Sequence, residues 1–140
     1  MAEQKAQTTK QNQVKRVEKV WGSEEWIANN DKYCGKILNL NKGFRCSIHY
    51  HKNKHETFYI LQGKVLMELF DSGGNRSIIN IMLPEKIQVI EPYQRHRFTG
   101  LEDSRIIEFS THHEESDSYR DRESAPVDLD ELKQELGIKW

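Results

Sequence analysis

A chain of 140 residues fits one globular domain and excludes a multidomain machine. Lysine and arginine number 21 against 22 aspartate and glutamate, so the formal charge of −1 excludes a whole-molecule field that would gather nucleic acid or anionic lipid. Hydrophobic residues at 36 % and charged residues at 31 % supply one small core, with part of the chain left to solvated ends.

In chain order, residues 1–16 are polar, lack apolar periodicity and read as a disordered N-terminal arm. They hold no apolar signal core, and no run in the chain approaches the ~18 apolar residues of a membrane helix, so the expected address is cytoplasmic, with no membrane partner. From Val17 to Thr111 the texture changes to short β-rich runs, predicted as strands at 24–28, 33–41, 44–51, 56–62, 64–70, 76–82, 86–90, 96–99 and 104–111. Turn chemistry separates them: Asn29-Asn30-Asp31, Asn41-Lys42-Gly43, Gly63, Asp71-Ser72-Gly73-Gly74-Asn75 and Leu83-Pro84-Glu85. No helix of ordinary length fits between these runs, which predicts an all-β sandwich or barrel over 17–111. Cys34 and Cys46 lie in apolar strand-like runs without metal or disulfide spacing and read as reduced core thiols. Residues 112–126 are polar and unpatterned and read as a surface loop. Residues 127–140 close the chain with a short helix: Asp128 and Glu131 fit a capping box, Val127 and Leu132 a hydrophobic staple, and Gly137 a stop, with Leu129, Leu132 and Leu136 as the docking stripe.

Chemistry concentrates at the histidines. His49, His51 and His55 fall within seven residues. Alternation on a strand projects His49 and His51 from one face, close enough for both imidazoles to reach one ion. A hairpin through Lys52-Asn53-Lys54 brings the Glu56 carboxylate beside them. The same parity turns Arg45 and Ser47 inward and Phe44, Cys46, Ile48 and Tyr50 outward, an apolar outer face that asks for cover by the N-terminal strands or a second subunit, and so predicts a homodimer. Arg45 is the inward residue suited to an anionic substrate group, with pairing to Glu68 or Glu108 as the equal alternative. Phe58 and Ile60, on the face of Glu56, form an apolar floor, and Lys54, Tyr93, Arg95 and Arg97 surround the ligands in sequence. The substrate-binding candidates are therefore Arg45, Ser47, Phe58, Lys54 and Arg95. His55 is open between the barrel mouth and solvent, and His112 and His113 read as surface residues.

The full pattern is Gly43, five residues, His49, one residue, His51, four residues, Glu56, six residues, Gly63. Here the sequence resembles the first motif of the cupin superfamily. The resemblance implies a small antiparallel β-barrel, or jelly roll, in which His49, His51 and Glu56 bind a divalent metal and a histidine from a second motif completes the site. His96, within the run from Pro84 to Phe98, is the candidate for that fourth ligand. Glu85, Glu91 and Tyr93 stand where the family usually has Gly, Pro and Gly, and Gly100 replaces the usual Asn. Three imidazoles and a carboxylate form a site of borderline softness suited to Zn, Mn, Fe, Co or Ni. Four protein ligands on a six-coordinate ion leave two positions for a hydroxy-carbonyl substrate.

The run Lys19-Val20-Trp21-Gly22-Ser23-Glu24-Glu25-Trp26 is similar to the entry segment of mannose-6-phosphate isomerase-like cupins, the type II phosphomannose isomerase group. His96-Arg97-Phe98 and Glu108-Phe109-Ser110-Thr111, leading through Asp117-Ser118-Tyr119-Arg120, are similar to the ends of that group. The resemblance implies a sugar-phosphate isomerase that interconverts an aldose and a ketose through a metal-stabilised enediolate while a base moves the proton, with a sugar phosphate or nucleotide sugar as partner. The sequence does not name the base: Glu56 is committed to the metal, and Glu68, Glu91 and Glu108 remain. A non-catalytic metal-dependent carbohydrate-binding module and an Fe(II) dioxygenase are the alternatives.

Overall fold

Strands form where branched and aromatic residues alternate with polar ones, and turns fall at the Gly, Asn and Asp clusters between them. The computed structural model describes residues 13–140. One sheet has six strands in the order β1 (Lys15–Lys19), β2 (Gly22–Asn29), β3 (Cys34–Leu40), β11 (Ser104–Ser110), β6 (Glu56–Gln62) and β9 (Ile87–Ile90). The other has seven: β12 (Tyr119–Arg122), β5 (Ile48–Tyr50), β10 (Arg95–Gly100), β4 (Phe44–Arg45) and β13 (Ala125–Pro126) in that path, with β7 (Val65–Phe70) joined to β10 and β8 (Arg76–Met82) joined to β7. Every pairing is antiparallel. With α1 (Leu129–Leu136), the one α-helix among the described residues, this is an all-β jelly roll with a short C-terminal helix.

Alternation decides what the sheets enclose. On β3, β6 and β11 every second residue is buried, so Leu38, Phe58, Ile60 and Ile106 meet Met67, Leu69 and Phe98 from the opposite sheet. β7 is buried along its whole length because it has two covers. Val65, Met67 and Leu69 face the barrel, while Leu66 packs under Leu132 and Leu101 beneath α1. Asp128 caps that helix, its Oδ1 accepting from the backbone N–H of Asp130 and Glu131 at 3.0 and 3.1 Å, and Gly137 ends it in the left-handed region at φ 64°. Gly63, between β6 and β7, has φ +96° and lies so close to the backbone of Asp103 and Ser104 that a Cβ would stand 2.6 Å from the Asp103 carbonyl oxygen. Only glycine closes that hairpin.

Several expectations change here. Residues 1–12 of the expected arm lie outside the described residues, and its last two, Lys15 and Arg16, belong to β1, where they pair with Trp26 and Glu25. The strand expected at 44–51 is interrupted at Cys46 and Ser47. Between the Thr99–Arg45 and His96–His49 pairs, three steps along β10 face four steps on β4–β5, a one-residue bulge that reverses side-chain parity. Cys46 therefore enters the core, where its Sγ accepts the Phe98 N–H at 3.3 Å, and Phe44 packs against that core instead of presenting an outer apolar face. The segment 112–126 is not a plain loop: a 3-10 turn (Glu115–Asp117), β12 and β13 lie within it, pairing against β5 and β4. No helix among the described residues is long and apolar enough to cross a membrane.

Candidate metal centre

β5 and β10 lie side by side in register His49–His96, and the chain leaving β5 carries His51, so residues far apart in sequence meet on the inner face of one sheet. His49, His51 and His96 each offer a ring nitrogen within 4.8 Å of the others. The first residue of β6, Glu56, faces them from the other sheet: its Oε2 stands 3.4 Å from His96 Nε2 and 3.7 Å from His51 Nε2.

The main chain sets the tautomers. Nδ1 of His49 lies 2.9 Å from the Ser47 carbonyl, Nδ1 of His51 2.7 Å from that of Asp117, and Nδ1 of His96 2.9 Å from that of Gln94. A ring nitrogen against a carbonyl oxygen must donate, so the proton of each neutral ring is on Nδ1 and Nε2 keeps its lone pair. Burial, with the neighbouring histidines, holds the His49 pKa well below its ordinary range, and burial takes that of His96 down to about 3. Both rings are neutral at pH 7.

Glu56 Oε2 and His96 Nε2 are sealed from solvent and have no hydrogen-bond partner among the described residues. A carboxylate oxygen facing the Nε2 lone pair of neutral His96 at 3.4 Å, with no proton between them, is a repulsive contact that a cation relieves. The donor set, three imidazoles and a carboxylate with each imidazole steered by a carbonyl behind it, fits a divalent transition metal.

The centre lies in a cleft of about 600 Å³, its open mouth included. Trp21, Leu38, Cys46, Phe58 and Phe98 make the apolar wall, and Lys19, Ser118, Arg120 and Ser124 also line it. Beside the histidines sits a buried charged cluster. Lys54 Nζ is 3.0 Å from Glu56 Oε1, 2.7 Å from Glu108 Oε2 and 2.9 Å from His113 Nδ1. Burial works against the Lys54 ammonium, but Glu108 and Glu56 outweigh it and raise its pKa. Burial likewise pushes the Glu56 carboxyl up, and Lys54 with the histidines overcomes this to leave it lowered. Lys36, 1 % exposed, pairs with Glu24 at 3.4 Å and lies over the Trp26 ring at 4.2 Å.

Of the substrate-binding candidates, Ser47, Phe58 and Lys54 line the cleft. Lys54 is spent on two carboxylates. Arg45 is displaced from it by the bulge, onto the outer face where Arg97 and Glu68 are its charged neighbours. Arg95 also lies outside, bonded to Asp121 at 2.7 Å and stacked over Tyr50 at 4.3 Å, because β10 alternates and His96 takes the inner side. Ile60 is sealed in the core below Phe58, and His55 is exposed. His113, expected at the surface, lines the cleft between Lys54 and Glu115.

The polar segment 112–126 carries the residues that sequence reasoning missed. Asp117, 5 % exposed, accepts the backbone N–H groups of Lys52, Asn53 and Lys54 on its carboxylate, while its carbonyl orients His51. The available signal was an Asp in a tract without other reason to be buried. Glu85 and Tyr93 adopt φ 76° and 70°, so the second-motif turns keep a left-handed backbone at positions without glycine.

A family model described as Cupin matches residues 2–121. Among solved structures, the chain is similar to the capsular polysaccharide assembling protein CapF from Staphylococcus aureus, with 17 % identity over 76 % of this chain and 34 % of that one, TM-score 0.64. It is similar to KdgF from Halomonas sp., 19 % identical over 67 % and 81 %, TM-score 0.58. A Streptomyces PAC13 variant solved with uridine is 13 % identical over 94 % and 98 %, TM-score 0.66. The chain spans about a third of the length of CapF. At these identities the likeness concerns the fold. No curated protein matches the sequence.

Proposed function

Since the chain belongs to the cupin family, we propose that it is a metal-dependent enzyme that isomerises a sugar phosphate between aldose and ketose, in the manner of the mannose-6-phosphate isomerase-like cupins that its entry and exit segments resemble. One observation carries the reading: ring nitrogens of His49, His51 and His96 converge within 4.8 Å of one another with Glu56 Oε2 beside them, and His49, His51 and Glu56 line a single cleft. These four residues would hold the metal. When bound there, a divalent cation supplies Lewis acidity toward the hydroxy-carbonyl group of a ligand.

The chain's own residues do the rest. Trp21, Phe58 and Phe98 exclude water from the reacting end. Arg120, in register with His49 and without an ion-pair partner among the described residues, lines the cleft with Lys19 and supplies the positive charge that a phosphate needs. CapF is described as a capsular polysaccharide assembling protein and PAC13 was solved with uridine, which agrees with a sugar or nucleotide-sugar ligand. The free, buried thiols of Cys34 and Cys46 support a reducing, cytoplasmic setting. A homodimer would use the outer face of the six-stranded sheet rather than the 44–51 strand, because Val89, Thr57 and Phe109 align there across β9, β6 and β11.

The test loads the purified protein separately with Mn, Fe, Co, Ni and Zn, measures bound metal, and follows ketose formation from a panel of hexose phosphates under nitrogen and in air. We expect one metal per chain, oxygen-independent turnover, and loss of both metal and turnover in His49→Ala and His96→Ala with the barrel still folded by circular dichroism. Full metal occupancy in His96→Ala, turnover that consumes oxygen with iron alone, or sugar-dependent thermal stabilisation without turnover under any metal would overturn the assignment.

A further inference from the structure

We propose that Glu108 is the general base of this reaction, an inference that rests on the isomerase reading above. Glu108 sits mid-strand on β11, in register with Lys36 of β3 and Phe58 of β6, so three inward side chains form one row across the barrel wall. It is 4 % exposed and lines the same cleft as His49, His51 and Glu56. Its Oε2 is held by Lys54 Nζ at 2.7 Å and by the Ser110 hydroxyl at 3.2 Å. Oε1 is not the oxygen that Lys54 or Ser110 holds in these contacts, and the side chain lines the cleft. One ammonium group separates this carboxylate from Glu56, since Lys54 bonds both.

The other carboxylates are occupied or elsewhere. Glu68 is enclosed on the outer face by Arg97 and Arg76, with contacts from 2.8 to 3.2 Å. Glu91 is exposed in a turn and does not line the cleft. Glu24 accepts from the Trp26 indole at 2.8 Å and pairs with Lys36, and Glu115 bonds His113 at 3.0 Å. Glu56 faces the histidines. Among these carboxylates of the described residues, Glu108 combines burial, a fixed orientation and a place on the cleft wall.

The transfer balances without a co-reactant. Glu108 Oε1 takes the proton from C2 of the aldose, the C–H electron pair forms the C1–C2 double bond, and the carbonyl π pair moves onto O1. The same carboxyl then returns the proton to C1 as the C1–C2 pair closes on it, and the hydroxyl proton of O2 passes to O1 as C2 becomes the carbonyl.

The experiment uses the metal-loaded protein and a hexose phosphate carrying deuterium at C2. It reads washout, meaning loss of the label from C2 either to water or onto C1, by NMR, together with bound metal and the melting shift that the sugar phosphate produces. Glu108→Gln is expected to keep wild-type metal content and melting shift while washout falls by about 10³-fold, and Glu108→Asp, which preserves the charge facing Lys54, to recover part of that loss. Glu91→Gln should match wild type. Washout within tenfold of wild type in Glu108→Gln overturns the assignment. So does a wild-type rate in Glu108→Asp, which decides the matter where the Gln variant loses metal or fold. Absence of washout in the wild-type protein under every metal removes the isomerase reading itself, and Glu108 falls with it.

Discussion

Burial makes the imidazoles poor bases, and this ties the stability of the metal-free protein to pH. The folded pKa of His96, about 3, lies far below the ~6.5 of an unfolded histidine, and that of His49 is depressed in the same direction. Their stabilising contribution is fully present above about pH 6.5 and is lost as pH falls toward 3, because the unfolded chain binds protons that the folded rings refuse. Between pH 7 and pH 5, His96 alone should cost the metal-free protein about 2 kcal/mol of unfolding free energy. Urea titrations at the two pH values check this, and an unchanged midpoint would contradict it. Protons compete with metal for the same Nε2 atoms only where the folded rings titrate, so at His96 that competition sets in near pH 3. The approach of His49 and His51 is legible in the sequence because two-residue spacing on a strand puts side chains on one face. The burial of Lys54, Lys36, His113 and Glu108 is not, since each is acceptable inside only because of a partner more than ten residues away, such as Lys54 for Glu108 and Glu24 for Lys36.

At the scale of elements, the segment after β11 shows how a polar stretch becomes structural. The carboxylate of Asp117 ties down the turn that leads into β6, and its carbonyl fixes the His51 ring. Asp117→Ala should destabilise the metal-free fold by roughly 2 to 4 kcal/mol, because three charge-assisted bonds disappear and their N–H groups stay partly buried. It should also weaken metal binding by about 10- to 100-fold through the loosened His51. Urea denaturation and zinc titration calorimetry measure the two effects. Wild-type values in both would show that the turn holds itself. Residues 112–126 show no periodicity, so neither β12 nor the 3-10 turn can be read from pattern. Strands such as β3, β6 and β11, whose faces differ, alternate clearly and are legible to within a residue or two of their ends. The bulge at Cys46 and Ser47 is the costliest miss. One inserted residue reversed the expected faces of Arg45 and Cys46 and removed the basis for a subunit contact on that strand.

Across the whole molecule, the two sheets differ in what covers their outer faces. Helix α1 and its neighbours close over Leu66 and Leu101, whereas the outer face of the six-stranded sheet leaves Ile87 61 %, Phe109 56 % and Val89 44 % exposed. If two copies pair there, sedimentation should show a dimer, and Ile87→Lys with Val89→Lys should weaken self-association at least tenfold while leaving metal content unchanged. A monomer at every concentration in the unmodified protein would dismiss that contact. The family-level fold is legible from strand texture and the histidine spacing together. Glu85 and Tyr93 hold the left-handed backbone that favours glycine, at two of the positions where the resemblance leads one to expect Gly. The imidazole supports have a related property. Because Ser47, Gln94 and Asp117 orient the rings through carbonyl oxygens, which every amino acid carries, substitution cannot delete them. Divergence can rewrite the cleft's side chains while the backbone that steers these three rings persists.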